Sequence, residues 1–494
     1  MSGYVDDLSE EQEEKLRELW GFLLSPTLTF LSSIYGVDLP PEKTSPAAVF
    51  KILHEIRDPT PTAVIAAFQS ATNKNGSTMQ DGDGKTTRPS EAEGNPNGAL
   101  ESGSGINGQK ANGQKVQTIS NQKVSKENIS SLISRLRQTD LNELQVKSME
   151  RILSSMTPRE MAWSLLNMVK QDSPDAVLLR FLRARKWDVH KAFSMMLSNY
   201  IWRVESNVDE DIMPNGELHA LKESQNEKDK AEEKKGKDFL SQLRMGKSYL
   251  HGADRDGRPI IVVTVRIHKP GAQSEEALER YILHIIEMTR LLLEPPVETG
   301  TILFDMTGFT LSNMEFPPVK FIIQCFESNY PECLGRLLIH NAPWIFSGVW
   351  KLIRPLMDPV VASKVHFTKN LDELSKFIAP ENICKELGGT DEWTYRYIEP
   401  APSENNLMND TSTRDELMSE RMTIALDFIL KTVEWIRLTS VAYGEVDDTK
   451  APEVVERRQD LIRQFRQSHW KLDPYIRARN QMDRERAISL DGAD

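Results

Sequence analysis

The region between residues 329 and 367 constrains the fold of this 494-residue chain more than any other. It holds, in order, a turn signal with a short apolar run at 337–339, a nearly unbroken apolar segment at 344–357 and a β-type segment at 364–367. The order strand, helix, strand is what a parallel sheet needs, because parallel neighbours are joined by a crossover connection. We therefore predict a parallel pairing in this region.

The apolar segment at 344–357 leaves little polar face. Its apolar positions are Trp344, Ile345, Phe346, Val349, Trp350, Leu352, Ile353, Leu356 and Met357. A helix that is apolar nearly all round is either buried on every side or meets a second apolar phase on its outer side. Helices of this kind usually belong to a core, so the segment alone leaves both interpretations open.

Strand and helix signals alternate on the amino-terminal side of this region. Buried strands are predicted at 260–265 and 301–304, and this alternation indicates an α/β fold with a mainly parallel sheet. The predicted helices lie at 8–37, from Ser45-Pro46, from Ser173-Pro174-Asp175, from the cap Asp188 to about 203, at 275–293, at 316–328 and at about 413–435. A basic tail is predicted at about 457–486.

Composition excludes several classes of protein. With 39% hydrophobic and 27% charged residues the chain reads as soluble and globular, and its length allows more than one domain. The net charge of −12 argues against a broad nucleic-acid or anionic-membrane surface.

The cysteines and the amino terminus bear on the cellular compartment. Cys325, Cys333 and Cys384 show no metal-ligand spacing and cannot all pair, which favours a reducing compartment. Acidic residues stand where a signal peptide needs basic ones, and no apolar run of about 18 residues exists, so membrane contact is expected to be peripheral.

Residues 71–125 differ sharply from the rest in composition. They are rich in Asn, Gly, Ser, Gln and Lys, and no aromatic residue occurs between Phe68 and Trp163. Such a segment cannot bury enough apolar surface to offset the entropy of ordering, so we predict a disordered linker.

No catalytic or metal-binding pattern is present in the sequence. The segment most similar to a phosphate-binding loop is Gly84-Lys85-Thr86, but such a loop needs glycine at the position of Met79. Asp81-Gly82-Asp83-Gly84 lacks the third acidic position of a calcium loop. We predict that the protein is not an enzyme and holds no metal and no cofactor.

Several motifs, in a fixed order, resemble the CRAL-TRIO lipid-binding family and, within it, the fungal phosphatidylinositol-transfer proteins. Residues 178–188, with the sequence LLRFLRARKWD, are similar to the helical signature of the family, and Asp256-Gly257-Arg258-Pro259 is similar to the opening of its first strand. The other matches are Tyr330-Pro331-Glu332, Asn341-Ala342-Pro343, Pro355, Asp358-Pro359 and Ser363-Lys364. The resemblance covers about 173–393 and is weakest at both ends of the chain.

The resemblance implies the CRAL-TRIO fold, an α/β fold with a helical amino-terminal lobe, a mainly parallel sheet with helices, and a gate helix over a lipid site. Helical extensions are expected at both ends. The predicted segments are a helical extension at 1–70, the linker at 71–125, the amino-terminal lobe at 126–245, the lipid-binding domain at 246–400 and a helical extension with the basic tail at 401–494.

The resemblance also implies a site for a phosphoinositol headgroup, which needs a cation for its phosphate and acceptors for its hydroxyls. By position, Glu332 would accept from the inositol hydroxyls and Lys364 would meet the phosphate. Arg185 would lie beside the gate, in contact with the headgroup or with the gate hinge. The plainer interpretations are a surface ion pair for Glu332 and Lys364, which stabilises little, and an ordinary amphipathic helix end for Arg185.

The sequence departs from the family at informative positions. Cys333 replaces an arginine and Val361 replaces a threonine. The positions where members that carry phosphatidylcholine place hydroxyls are Leu250, Ile261, Gly300 and Ile302 in this chain. An apolar wall cannot satisfy a choline phosphate. We therefore expect phosphatidylinositol but not phosphatidylcholine, with either a sterol or isoprenoid as second ligand or no second ligand.

By the same resemblance, residues 344–361 form a gate that swings outward at a bilayer and admits a lipid. Its residues are Trp344, Phe346, Trp350, Ile353, Met357 and Val361. The implied function is transfer of phosphatidylinositol between membranes and its presentation to a lipid kinase. The alternatives are a lipid-filled scaffold that recruits a partner through its terminal helices, or a carrier of a sterol or isoprenoid. We expect a cytoplasmic protein with transient contact to intracellular membranes and no nucleic-acid partner.

Overall fold

The structure is a computed structural model that describes residues 2–5, 7–34, 130, 133–134, 137, 141–155, 168–440 and 449–488. The predicted linker at 71–125 and the predicted helix start at Ser45 lie outside these ranges. Within them, no helix is both long enough and apolar enough to cross a membrane.

In the part of the chain that the structure describes, five strands lie side by side in chain order and form one sheet. They are β1 (Ser248–Ala253), β2 (Pro259–Thr264), β3 (Gly300–Asp305), β4 (Leu334–His340) and β5 (Val365–Thr368). β1 runs antiparallel to β2, and the other neighbours are parallel, which confirms the predicted mainly parallel sheet.

The sequence predicts no strand at β1, and the strand that begins at Pro259 is the second strand rather than the first. β1 gives a weak strand signal because it contains Gly252, whose φ is 67°. Its register with β2 also shifts between Leu250 and Ala253. A short strand with a glycine and a shifted register lacks the regular alternation on which strand prediction rests.

Fourteen α-helical segments flank and connect these strands within the described residues. They are α1 (Glu10–Ile34), α2 (Glu143–Ser155), α3 (Pro174–Ala184), α4 (Val189–Glu205), α5 (Met213–Ser224), α6 (Lys230–Arg244), α7 (Glu275–Leu291), α8 (Phe316–Gln324), α9 (Phe346–Ile353), α10 (Pro359–Ser363), α11 (Leu371–Leu374), α12 (Thr411–Thr439), α13 (Ala451–Ile476) and α14 (Gln481–Arg484). Both predicted starts in this part of the chain are confirmed. Pro174 opens α3, and the Asp188 side chain accepts a hydrogen bond from the Lys191 N–H at 3.0 Å at the start of α4.

The two faces of the sheet pack against different partners, because successive side chains of a strand point to opposite faces. Ile261, Ile302 and Leu337 face one apolar cluster, to which helix α7 contributes. Ile260 and Leu303 face a smaller cluster formed with the segment after β5. The first face carries the candidate site.

A separate core lies among α1, α2, α3, α4, α12 and α13, which we call the helical body. Trp20 of α1, Leu178 of α3, Phe428 of α12 and Leu461 of α13 are buried in this one cluster. Both predicted extensions therefore share a core with the predicted amino-terminal lobe. The segment bounds themselves stay a prediction.

A buried ion pair ties the helical body together. Arg458 donates from Nη1 and Nη2 to the two carboxylate oxygens of Asp175 at 2.6 and 2.5 Å, and the Trp20 indole N–H donates to the same carboxylate at 2.8 Å. Arg458 belongs to the region that we predicted as a basic tail. The region forms α13 and α14, and Arg458 and Arg477 within it are each only 4% exposed. Carboxylate partners neutralise the charge of both guanidinium groups.

Candidate functional site

An apolar cavity lies on the first face of the sheet, beneath α7, α8, α9 and α10. Among its lining residues are Ile261, Ile286, Ile302, Ile322, Leu337, Phe346, Trp350, Ile353, Met357 and Val361. The structure thus brings five of the six predicted gate residues to this cavity. Of the four predicted wall residues, Ile261 and Ile302 line it, Leu250 is buried in the same apolar cluster, and Gly300 lies at the start of β3.

The gate segment, residues 344–361, consists of α9, a 3-10 turn at Arg354–Leu356 and α10. Its inner residues are buried, but Trp344 is 86% exposed and Leu352 is 61% exposed. The segment is therefore not a helix buried on every side. Trp344 faces solvent rather than the cavity, and Pro355 divides the single helix that we predicted at 344–357.

Glu332 and Lys364 lie together at the amino ends of two neighbouring strands. Glu332 precedes β4 in a left-handed conformation with φ 55°, and Lys364 follows α10 directly before β5. Lys364 Nζ donates to Glu332 Oε2 at 3.1 Å. Their side chains are 20% and 18% exposed, so the pair is partly open to solvent. The role of the pair in headgroup binding stays a prediction.

Arg185 lies at the carboxyl end of α3, close to the gate segment. Its Nη1 donates to the Ala184 carbonyl at 3.1 Å, and no carboxylate of the described residues lies within ion-pair distance of it. Burial lowers the pKa of Arg185, and the Asp358 carboxylate opposes this effect. The half-buried guanidinium is therefore available to a further anion.

Asp358 anchors the base of the gate segment. Its side chain caps α10 by accepting from the Val361 N–H at 2.7 Å, and its own N–H donates to Glu327 Oε1 at 2.5 Å. Burial raises the pKa of Glu327, the N–H of Asp358 opposes that effect, and the Asp358 carboxylate adds to it. Asp358-Pro359 is a recognisable helix start, but nothing local in the sequence points to Glu327.

A buried charge network supports the turn that carries Glu332. Glu287 accepts from the Tyr330 hydroxyl at 2.8 Å, from Arg203 Nη1 at 2.9 Å and from Lys170 Nζ at 2.7 Å. Burial alone would raise the pKa of Glu287, but the surrounding cations hold it well below its ordinary value. This network fixes the position of Tyr330, two residues before Glu332.

Cys333 occupies a position next to two cations. Burial raises the pKa of its thiol, while Arg180 and Arg290 act in the opposite direction. An arginine at this position would place a third guanidinium beside them, and like charges at close range repel. Asp172 and Glu298 also act on this thiol and raise its pKa, so the position lies among charges of both signs.

One group of potential metal ligands occurs in the described part of the chain. His251, Cys384 and Asp391 bring one ligand atom each within 4.8 Å of one another. His251 Nε2 already lies 2.6 Å from Asp391 Oδ2, and its ring stacks on Trp393 with 3.9 Å between centroids. These contacts account for the cluster without an ion.

A mainly parallel sheet with an apolar cavity beneath helices α7 to α10 is an arrangement that can enclose a lipid-like guest. Comparisons with known proteins agree. The CRAL/TRIO domain model matches residues 243–389, and the CRAL/TRIO N-terminal domain model matches residues 122–198. The chain belongs to the CRAL-TRIO family of lipid-binding proteins, as the motif resemblance implies.

Two fungal relatives illustrate this membership. A CRAL-TRIO domain-containing protein of Schizosaccharomyces pombe is 39% identical over 69% of this chain and 72% of its own length. The phosphatidylinositol transfer protein CSR1 of Eremothecium gossypii is 40% identical over 68% of this chain and 74% of its own length. A crystal structure of Sfh5 covers 49% of this chain and 82% of its own at 17% identity, with a TM-score of 0.34 that is too low to support an inference.

Proposed function

We propose that this protein binds phosphatidylinositol and transfers it between membranes. The observation that carries the proposal is a partly exposed pair, Glu332 and Lys364, at the edge of an apolar cavity. Leu334, two residues after Glu332, and Val361, three residues before Lys364, both line that cavity. The relationship to a phosphatidylinositol transfer protein of Eremothecium gossypii supports the same function.

The chemistry of the ligand matches this arrangement. The ligand phosphate would replace Glu332 as the acceptor for the Lys364 ammonium. The carboxylate of Glu332 would then accept hydrogen bonds from inositol hydroxyls. Arg185 would supply a second cation. Burial of the acyl chains in the cavity contributes about 0.8 kcal/mol for each methylene group.

Substitution of either partner tests the site. We expect Lys364→Ala and Glu332→Ala to lower the affinity for phosphatidylinositol about ten- to a hundredfold, because a lost charge-assisted contact costs about 1.5–3 kcal/mol. Lipid loading from labelled vesicles measures this loss, and circular dichroism checks the fold. Lys369→Ala, which removes an exposed lysine past the end of β5, is the matched control. Normal loading of both variants would reduce the pair to a surface contact.

We propose further that phosphatidylcholine is not carried. Leu250, Ile261 and Ile302 belong to one apolar cluster, and none of them can donate to a choline phosphate. Transfer assays with labelled phosphatidylinositol and phosphatidylcholine test this selectivity, and efficient transfer of phosphatidylcholine would contradict it.

The outer face of the gate segment is our proposed membrane contact. Trp344 and Leu352 are exposed there, together with the cations Lys351 and Arg354. The chain as a whole carries a net charge of −12, so a face that combines apolar and basic side chains stands out. Such a face suits a bilayer that contains anionic lipids.

Presentation of the bound lipid to a lipid kinase is the last part of the proposal. The pair of Glu332 and Lys364 keeps about a fifth of its side-chain surface accessible, so a headgroup held there would stay reachable. The rate of phosphatidylinositol phosphorylation on vesicles, measured with the protein and with Lys364→Ala, tests this idea. A single inert lipid that co-purifies in equal amount and does not exchange would instead favour a scaffold.

A further inference from the structure

The gate segment, residues 344–361, is joined to distant parts of the chain by one hydrogen bond among the described residues. This bond runs from the Asp358 N–H to Glu327 Oε1 at 2.5 Å. The other hydrogen bonds of the segment are local turns, helix caps and bonds within its own helices. Polar contact between the segment and its surroundings therefore depends on Glu327.

Apolar contacts make up the rest of this interface. Phe346 packs edge-on against Phe309 with 5.5 Å between ring centroids, and Trp350 packs edge-on against Phe367 at 5.2 Å. The hydrophobic effect has no preferred direction, so such side chains can exchange one apolar neighbour for another at little cost. A hydrogen bond holds only within a narrow range of distance and angle. The bond to Glu327 therefore distinguishes the closed position of the segment from a displaced one.

Glu327 lies in a turn that is fixed to elements outside the gate segment. The turn, Cys325–Asn329, is a π-helical segment that follows α8. The buried Asn199 side chain of α4 donates from Nδ2 to the Asn329 carbonyl at 2.5 Å. The next residue, Tyr330, is held by the buried charge network of Glu287. Single π-helical turns are rare and occur frequently at functional sites. The acceptor of the gate hydrogen bond is thus anchored independently of the gate.

The same contact brings two carboxylates close together. Burial raises the pKa of Glu327, and the Asp358 carboxylate adds to that effect because like charges repel. The Asp358 carboxylate stays in place because it caps α10 through the Val361 N–H. Repulsion between the carboxylates partly offsets the attraction of the Asp358 N–H, so the contact is weak enough to break when the segment moves.

We propose that Glu327 is a positioning residue for lipid exchange, which holds the gate segment closed by accepting from the Asp358 N–H. When this bond breaks, water solvates the freed N–H and the Glu327 carboxylate, and apolar contacts alone retain the segment. That closure keeps lipid in the cavity rests on the proposed function, whereas closure itself can be measured without any lipid transfer.

Thiol labelling of the full chain measures closure. Val349→Cys places a thiol at a position of α9 that is 6% exposed, so a water-soluble maleimide reaches it when the segment moves. Peptide mass spectrometry separates this label from labels on the 3 native cysteines. We expect Glu327→Ala in this background to raise the labelling rate about tenfold, because it removes a hydrogen bond to a charged group. Ser328→Ala, at an exposed position of the same turn, is the matched control.

A cycle of variants assigns the effect to the hydrogen bond itself. Asp358→Pro removes the N–H, and the backbone accepts proline because Asp358 has φ −63° and the preceding Met357 is extended, with φ −92° and ψ 140°. Asp358→Ala loses the same helix cap but keeps the N–H. We expect Asp358→Pro to be labelled about tenfold faster than Asp358→Ala.

Glu327→Ala should then accelerate labelling in the Asp358→Ala background but not in the Asp358→Pro background, because only the first retains the donor. Glu327→Gln, which keeps an acceptor oxygen, should stay close to the native rate. Equal labelling of Glu327→Ala and Ser328→Ala, or equal acceleration in both backgrounds, would overturn the inference. If Glu327→Ala failed to fold, equal labelling of Asp358→Pro and Asp358→Ala would overturn it.

Lipid release separates this inference from the proposed function. Release of labelled phosphatidylinositol into vesicles should be faster for Glu327→Ala than for Ser328→Ala. Equal release by the two variants, in a protein that does transfer this lipid, would overturn the role of Glu327 in lipid exchange. The expected labelling pattern in a protein that transfers no phosphatidylinositol would overturn the proposed function alone.

Discussion

The helical body and the cavity side of the sheet each bury a large apolar cluster, but they fill it differently. In the helical body, side chains such as Trp20, Leu178 and Phe428 occupy the interior themselves. On the cavity side, residues of comparable character, such as Ile302 and Trp350, surround a space. Interiors are normally packed as closely as organic crystals, so a retained cavity marks the region that is shaped for a guest.

Three cations illustrate a related contrast, which does not extend to every buried charge, because Arg421 of the helical body also has no carboxylate partner among the described residues. Arg458 in the helical body is held by both oxygens of Asp175. Arg185 and Lys247, near the cavity, have no carboxylate within ion-pair distance in the described ranges. In the first arrangement the protein itself neutralises the buried cation. In the second, the cations have no protein carboxylate and can bind a ligand. The following experiments test this contrast, from the largest expected effect to the smallest.

Breaking the buried pair of the helical body should have the largest effect. Asp175→Ala leaves Arg458 buried without its partner, and we expect the free energy of unfolding to fall by about 3–5 kcal/mol. Urea or thermal unfolding measures this loss, and Asp427→Ala, at an exposed position of α12, is the control. The double variant Asp175→Leu with Arg458→Leu should recover much of the stability. Equal unfolding of Asp175→Ala and the control would show that the pair does not close this core.

Acid should weaken the contact between α14 and the cavity side. Burial would raise the pKa of Glu217, but His284 and Arg484 lower it to about 2, against an ordinary value of 4.5. A carboxyl group with a depressed pKa stabilises the fold above its unfolded pKa and loses that contribution as the pH falls. We therefore expect about 3 kcal/mol of stability to disappear between about pH 5 and pH 2.

Glu217→Gln checks this origin of the acid sensitivity. The amide does not titrate, so the variant should be less stable at neutral pH and should lose less stability on acidification. Glu416→Gln, at an exposed position of α12, should keep the native profile. An unchanged pH profile in Glu217→Gln would assign the acid sensitivity to other carboxylates.

A lipid guest should stabilise the cavity side. At a free lipid concentration about a hundred times the Kd, binding raises the free energy of unfolding by about 2.7 kcal/mol. Thermal unfolding of delipidated protein with and without phosphatidylinositol measures the gain. Ile302→Trp, which fills the space with protein, should reduce the response to lipid. The absence of any shift in native protein would mean that the cavity is not a lipid site.

The smallest effect is expected at the outer face of the gate segment. Trp344→Asp places a charge where we propose contact with the hydrocarbon region, so vesicle association should weaken by a few fold. Because Trp344 is 86% exposed, the fold should not change. Leu407→Asp, at another exposed apolar position, is the control. Trp350 is unsuitable for this test because it lines the cavity and packs edge-on against Phe367.

Hydrogen exchange of the gate segment provides an independent check. We expect amides of α9 and α10 to exchange faster than those of β3 and β4, and vesicles to change their rate, because lids belong to the less stable parts of a structure. Slow exchange that is indifferent to vesicles would instead indicate a fixed core helix.

Local patterns account for much of the fold. The alternation of strands and helices predicted β2, β3, β4 and β5 in a mainly parallel sheet, because periodicity reports which face of an element is buried. β1 was missed because Gly252 and its shifted register hide that periodicity. The roles proposed for Glu332, Lys364 and Arg185 come from the family motifs rather than from their residue types, which are equally common in surface ion pairs.

By itself, the sequence determined the α/β architecture, the apolar gate segment and membership of a lipid-binding family. Each of these follows from patterns within contiguous stretches of the chain. Only the tertiary structure decided that Arg458 of the supposed basic tail belongs to Asp175, 283 residues away, and that Lys247, His268 and Glu315 meet at one end of the cavity. The physical reason is that hydrophobic periodicity is a local property. Which residue neutralises a buried charge, and where a cavity remains, both depend on which distant elements pack together.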